Sequence, residues 1–433
     1  MSAIITVDLG YGDSGKGTIV DALVRNYRAG LVVRYSGGAQ AAHNVITPDG
    51  RHHCFRQLGS GMFVRDTKTL LSQYMLVDPL ALTLEIAQLQ KTGTDNLIFK
   101  NIFIDERAMI VTPFHKALNR LREKARGDGR HGSCGMGIGE TVQLSLERPD
   151  LVIRASDLKN YDALVTKLMG VYLYAFDTAK ALGIDVASKA NLEEARLLFL
   201  PILNVAKVFE SIAKEVNIIP PAQVCDLVST NTSVFEGAQG VLIDQDYGFH
   251  PYTTWSKTTS ENAYKILADA GVTGITEVGI IRAFPTRHGP GPLPTEHNDL
   301  LKLLPGEHNK FNEWQRDFRA GWPDYVMLKY ALMANNSIDY FAVTHVDCLD
   351  MQDEWKICDD YDQDILSKLP TNLEEQAALT EALAKVTCTP EVMPKDYVLD
   401  AIGVETGIRI GILSSGPTAD DKHFTAAFDV ASK

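Results

Sequence analysis

The chain has 433 residues, 45% of them hydrophobic and 22% charged, with a formal net charge of −13. This is the composition of a soluble globular protein with a large core, and length alone argues for two or three domains unless one large α/β unit takes the whole chain. The negative balance excludes a broad nucleic-acid or anionic-membrane surface, although it leaves room for a local basic pocket.

No apolar stretch is long enough to span a membrane, and Met1-Ser2-Ala3 lacks the basic region and cleavage pattern of a signal peptide. Cys54, Cys134, Cys225, Cys348, Cys358 and Cys388 are scattered, with no Cys-x-x-Cys pair. They argue against a disulfide framework or zinc site and for a reducing cytoplasm.

The apolar, β-branched run Ile4–Leu9 predicts a buried strand. It leads into Gly10-Tyr11-Gly12-Asp13-Ser14-Gly15-Lys16-Gly17, and Thr18–Val24 then reads as a helix. Strand, glycine loop and helix N-terminus together make a phosphate cradle with a lysine in it. The spacing from Gly10 to Gly15-Lys16 fits a P-loop, but Gly17 stands where Ser or Thr would hold Mg²⁺. Asp13 inside the loop would repel phosphate, so it makes sense as a metal ligand or as a base for a substrate proton.

Further along, Gly30–Tyr35 reads as a strand, followed by the small-residue run Ser36-Gly37-Gly38-Ala39-Gln40-Ala41-Ala42 and His43. Helices are expected at Pro79–Lys91 and Thr112–Ala125, with a strand at Leu97–Ile104 between them. A second glycine loop, Gly132-Ser133-Cys134-Gly135-Met136-Gly137-Ile138-Gly139, offers a hydroxyl and several N–H groups to a phosphate. From about Asp157 to Val216 strands give way to long helices, Leu158–Leu182 and Asn191–Val216, the second kinked or broken at Pro201.

Phe235-Glu236-Gly237-Ala238-Gln239-Gly240 carries an amide able to read both a donor and an acceptor on a base, and His250–Thr254 follows. Gly279–Phe284 predicts a strand that feeds Thr286-Arg287-His288-Gly289-Pro290-Gly291-Pro292. Arg316 and Arg319 in Gln315–Trp322 suit a carboxylate or phosphate. Strands at Tyr340–Val346 and Ile408–Leu413 end at Asp347 and at Ser414-Ser415-Gly416-Pro417, and Asn372–Ala384 reads as a helix. Strands alternating with helices imply an α/β fold, a large mainly parallel central sheet with helices on both faces. Taken alone, a histidine like His43 is more often structural, and residues 132–140 read equally well as a flexible loop.

Taken in this order, the motifs resemble the adenylosuccinate synthetase family, GTP-dependent enzymes that join aspartate to inosine monophosphate (IMP). The resemblance rests on Gly12-Asp13-x-Gly15-Lys16-Gly17, Arg34-Tyr35-x-Gly37-Gly38 through His43, Gly137-Ile138-Gly139 and Phe235–Gly240. It continues through Thr286-Arg287-x-Gly289-x-Gly291-Pro292, Gly321-Trp322-x-Asp324, Asp347 and Ser414-x-Gly416-Pro417. It implies a P-loop-like GTP-binding architecture over residues 1–433 as one unit, with 157–216 as a helical insertion.

By resemblance, Asp13 removes the N1 proton of IMP and ligates Mg²⁺, the Ala42 carbonyl is a second metal ligand, and Lys16 and His43 stabilise the phosphoryl group moving from GTP to O6. The amine of aspartate then displaces phosphate. Gly12, Gly15, Gly17, Asp347, Ser414, Gly416 and Pro417 would hold GTP. Gln40, Ser133, Cys134, Gln239, Thr254, Arg148 and Arg316 would serve the purine nucleotide, with Arg148 offered across a homodimer interface. Arg316 and Arg319 would hold the amino acid.

Several positions depart from the family pattern. Ser14 stands for Glu, Ala39-Gln40 for His-Asn, Cys134 for Thr and His345 for Lys. Glu313–Arg319 lacks the usual threonines, and Asp317 and Phe318 interrupt its arginine run. Two alternatives therefore stand beside the IMP ligase: a relative acting on another purine nucleotide (GMP or dGMP) or another amine donor, and a nucleotide-binding regulator without ligase activity.

Overall fold

The computed structural model describes residues 2–94, 98–304, 317–335 and 337–430. Its centre is a ten-stranded sheet. In chain order the strands are β1 (Ser2–Asp8), β2 (Leu31–Arg34), β3 (Lys68–Leu71), β4 (Ile102–Asp105), β5 (Asn217–Ile219), β6 (Ser233–Glu236), β7 (Gly274–Arg282), β8 (Tyr340–Thr344), β9 (Arg409–Ser414) and β10 (Lys422–Phe424). Their spatial order is β10-β9-β8-β7-β1-β6-β2-β3-β4-β5. Every neighbouring pair is parallel except β9 with β10.

β1 is mostly apolar, with Ala3, Ile4, Ile5 and Val7 fully buried, because both of its faces are covered, as parallel interior strands require. Ala3, Ile5 and Val7 join the core that holds Tyr35 and Phe235. Ile4 faces Ile19, Val20, Leu23 and Val24 of α1 (Lys16–Tyr27). β1 lies between β6 and β7, and the chain leaving it crosses to β2 on the far side of β6. Ligands of open parallel sheets bind beyond the carboxyl ends of the strands at such a switch point. The loops after β1, β2, β6, β7, β8 and β9 all leave from those ends.

Helix boundaries follow local chemistry. α2 (Pro113–Ala125) starts on a Thr112 cap with proline in its first turn. α3 (Ile138–Glu147) starts after Gly137 at φ 78°. The helix expected over Leu158–Leu182 is a short 3₁₀ turn, Ala155–Lys159, then α4 (Tyr161–Ala181), because the Asn160 side chain caps Ala163. Pro201 separates α5 (Leu192–Leu198) from α6 (Ile202–Glu215). Near the C-terminal end lie α7 (Tyr325–Ala334) and α8 (Leu373–Leu383). No helix among the described residues is long and apolar enough to cross a membrane.

The expectation that the cysteines form no disulfide needs correction. Cys358 and Cys388, 30 residues apart, form a disulfide with Cα atoms 6.2 Å apart. Both ends are pinned independently: Cys358 exchanges backbone hydrogen bonds with Pro323 and Tyr325, and Thr387 donates its N–H and hydroxyl to Asp362. Closing a loop of this length stabilises by roughly 3–4 kcal/mol on the chain-entropy account. Cys388→Ser, or reduction of the wild type, is therefore expected to lower the urea midpoint; an unchanged midpoint would mean that the thiols are unpaired.

Candidate active site

The loop after β1 is organised by Asp8, which is 1% exposed. Its carboxylate accepts from Gly10 N–H (2.9 Å), Ser14 N–H (3.2 Å) and Ser14 Oγ (2.9 Å). Lys16 Nζ sits 2.6 Å away, itself buried. Gly12 (φ 99°), Asp13 (φ 56°) and Gly15 (φ 80°) take left-handed backbone in succession, a geometry that turns N–H groups toward a common anion. Aspartate tolerates that region better than most side chains.

Gly17 has a packing role. A Cβ there would lie 2.9 Å from His43 Cβ and 3.1 Å from His43 C, so its bare backbone lets the strand His43–Ile46 close against α1. A P-loop Ser or Thr would not fit. This contact places His43 beside the lysine loop.

Glu236 orients His43. His43 Nδ1 is 2.5 Å from Glu236 Oε1, and both are buried. Glu236 also accepts from Ser60 N–H (2.9 Å) and Ser60 Oγ (2.5 Å). Its register partner on β2 is Arg34, which is fully buried and donates to the carbonyls of Arg56 and Leu58. Burial pushes the Glu236 carboxyl up, but Arg34 and then His43 and Ser60 outweigh it and hold it at about 2. Burial lowers the His43 pKa against the pull of Glu236. The resting pair is therefore a carboxylate accepting Nδ1–H from a neutral ring, which leaves Nε2 for a ligand.

The nucleotide candidates converge. Gly240 packs so closely on the loop after β1 that a Cβ would lie 2.2 Å from Gly10 O, which sets Gln239 (φ 67°) beside Gly12. Gln239 Oε1 accepts from Thr254 Oγ1 (3.0 Å) and Gln40 Nε2 (3.4 Å). Gln40 Oε1 is buried without a hydrogen-bond partner among the described residues, an acceptor that a bound ligand would satisfy. The loop of Ser133 and Cys134 lies along the same rim: a Cβ at Gly38 would meet Ile138, one at Gly139 Trp255 and one at Gly132 Pro290. Ser133 Oγ donates to Asn119 at 3.0 Å.

On the other flank, the ends of β8 and β9 meet α1. Thr344 Oγ1 donates to Ser14 O (3.0 Å), and Thr18 Oγ1 donates to Pro417 O (2.9 Å). Asp347 follows in the turn after β8, and Ser414 ends β9 opposite Thr344. Lys422 Nζ donates to Gly416 O (2.6 Å) and Thr418 O (2.8 Å), and burial brings its pKa down to about 8. Burial brings His345 down to about 3, so it presents an uncharged ring.

Two arginines are committed elsewhere. Arg319 donates to Gly289 O, to Gly291 O (2.8 Å) and to Glu296 (2.6 Å), bracing the 289–291 loop. Arg148 caps the far end of α3 and pairs with Asp150 at 2.7 Å on the surface, so its own chain does not bring it to the site. Arg316 lies outside the described residues. The sequence reading assigned no role to Asp8, Glu236 or His288. A carboxylate ending the strand before a phosphate loop was the one local signal for Asp8; the partners of the other two lie far away in sequence.

Comparison with known proteins places the chain in one family. The adenylosuccinate synthetase family model matches residues 5–421. The adenylosuccinate synthetase of Clostridium beijerinckii is 32% identical over 97% of this chain and 98% of its own length. That of Bdellovibrio bacteriovorus is 30% identical over 96% and 97%. Among solved structures, fully ligated adenylosuccinate synthetase from Plasmodium falciparum superposes with a TM-score of 0.80 at 21% identity, covering 98% of this chain and all of that one. The succinoaminodeoxyadenylate synthetase of cyanophage S-2L, bound to dGMP and dATP, gives a TM-score of 0.61 at 16% identity, covering 98% and 95%. With a family match over nearly the whole chain and the family's motifs gathered at one edge of the sheet, this chain belongs to the adenylosuccinate synthetase family.

Proposed function

We propose that the protein joins L-aspartate to C6 of IMP with GTP as the phosphoryl donor, giving adenylosuccinate, GDP and phosphate. The observation that carries this reading is the meeting of Asp13, Lys16 and the Glu236-held His43 around one loop, with Gln239 beside Gly12. A purine lactam oxygen is a poor leaving group and must be activated before an amine can displace it.

In this scheme Asp13 takes the N1 proton, and the electron pair moves onto O6, which attacks the γ-phosphorus of GTP as the bond to GDP breaks. Lys16 and His43 offset the charge on the moving phosphoryl group. The amine of aspartate then adds at C6, and phosphate leaves with the O6 oxygen. Glu236 keeps the imidazole aimed throughout. Lys16 exchanges part of its contact with Asp8 for phosphate oxygens.

No group of three His, Cys, Asp or Glu side chains among the described residues is placed to hold a metal ion. Mg²⁺ favours one or two carboxylates together with substrate phosphates and water. The Asp13 carboxylate, 45% exposed, and the exposed Ala42 fit that role. When bound there, Mg²⁺ would neutralise phosphate charge.

The same reading takes GTP to lie against Gly12, Gly15, Gly17, Asp347, Ser414, Gly416 and Pro417. It takes the purine nucleotide to lie against Gln40, Ser133, Cys134, Gln239 and Thr254, with Arg316 shared between nucleotide and amino acid and Arg319 at the amino acid. Residues 1–433 form one unit with 157–216 inserted. The protein works in the cytoplasm as a homodimer, with Arg148 crossing to the partner. Exposed Leu146, Leu173 and Phe199 support an interface on the helical side.

One feature favours a shifted amine donor. Arg319 is occupied by backbone carbonyls and Glu296, so a donor carboxylate has to displace those contacts. The deciding assay is phosphate release from GTP with Mg²⁺ and IMP, with and without L-aspartate, and mass spectrometry of the product. Aspartate-dependent release with adenylosuccinate formed is expected. Release only with GMP, dGMP or another amine overturns the substrate assignment, and no release with any purine favours the regulator.

A further inference from the structure

We propose that His288 positions the Asp13 carboxylate for proton abstraction; the inference rests on the reading of Asp13 as the base. The backbone at Asp13 is held, because Arg282 Nη1 donates to its carbonyl at 2.9 Å. The carboxylate is not held in the same way. It is 45% exposed, and its side-chain partner among the described residues is His288, whose Nε2 lies 3.3 Å from Asp13 Oδ2. A general base has to sit within hydrogen-bond reach of one proton, and an exposed carboxylate free to rotate meets that condition only part of the time.

His288 is itself fixed. The strand Thr286–His288 pairs antiparallel with Phe318–Ala320, setting His288 opposite Phe318. Their ring centroids are 4.6 Å apart, and Gly289 N–H donates to Asp317 O at 2.9 Å. His288 Nδ1 is buried with no hydrogen-bond partner among the described residues. Nε2 is the ring edge that faces Asp13, so an N–H there donates to the carboxylate.

Two oddities of the sequence thereby become one device. Position 288 is open in the family pattern, and Phe318 interrupts the arginine run expected for the amino-acid segment. Across the two-stranded ladder they form a single ring pair that presents an imidazole to the base. The amino-acid segment and the base are coupled through it.

The test compares His288→Val and His288→Gln in IMP- and aspartate-dependent phosphate release, with GTP affinity and melting temperature measured alongside. His288→Val is expected to lower kcat about 10- to 100-fold, the usual loss when a group orienting a ligand is removed, with KM for GTP and melting temperature unchanged. His288→Gln, which keeps an N–H donor, is expected to recover most of the rate. Wild-type kcat in His288→Val overturns the proposal, as does a folded His288→Gln that is as slow as the valine variant, or a loss confined to KM. If the valine variant does not fold, the glutamine variant and His288→Asn decide by the same kcat criterion. Asp13→Asn, run in parallel, separates the two levels. Full activity there overturns the base assignment and this inference with it; loss there beside an active His288→Val overturns His288 alone.

Discussion

Asp13→Ala is expected to lower kcat by about a thousandfold or more while GTP still binds. A positioned general base contributes roughly 10²–10⁴ to rate, and on the proposed function the loss of a metal ligand would add to that. The fold should survive, because the carboxylate is 45% exposed and the loop is tied down by Asp8. Alanine is poorly suited to a φ of 56°, so Asp13→Asn is the cleaner variant: asparagine tolerates left-handed backbone and keeps the side-chain shape while removing its charge. Steady-state phosphate release together with GTP titration separates the two effects. Unchanged turnover in both variants would remove Asp13 from the chemistry.

Glu236→Ala has the second large effect, and it falls on stability as well as on rate. The Glu236 carboxylate receives His43 Nδ1–H and two donors from Ser60, and it lies beside the fully buried Arg34. Truncation leaves that cation without its counter-charge, which typically costs about 3–5 kcal/mol. It also frees the His43 ring, so residual activity should fall by an order of magnitude or more. Glu236→Gln is only a partial rescue, because its amide turns a donor toward donors.

Acid unfolding reads the same group. The Glu236 carboxyl is held at about 2 against an ordinary 4.5. Its stabilising contribution is therefore present at neutral pH and is lost as pH falls from about 4.5 toward 2. In Glu236→Gln that part of the acid limb should flatten. A variant with wild-type melting temperature and wild-type acid profile would show that Arg34 finds its compensation elsewhere.

Much of the centre was legible from residue order. Ile4–Leu9 could only be a buried strand, and the glycines after it only a turn into a helix, because local backbone preferences and an unbroken apolar run carry that information. Pro201 marked the break between two helices through the missing N–H of proline. Gly279–Phe284 was read as a strand but begins at Gly274, since Thr276 and Glu277 interrupt the apolar pattern and are buried only by distant partners such as Asn335. The short strands Lys68–Leu71 and Asn217–Ile219 offer too few residues for any period.

What tertiary structure alone decided are relations between residues far apart in the chain. Local spacing says nothing of whether Glu236 will meet His43 across 193 positions, whether His288 will face Asp13, or whether Cys358 will reach Cys388. Gly17 shows the same limit from the other side. By motif it was a missing metal hydroxyl, while in three dimensions it is the gap that admits His43. The residue types and the phosphate loop were written in the sequence. Their roles came from parallel β-pairing, which carries the ends of distant strands to one edge and sets the buried charges there against one another.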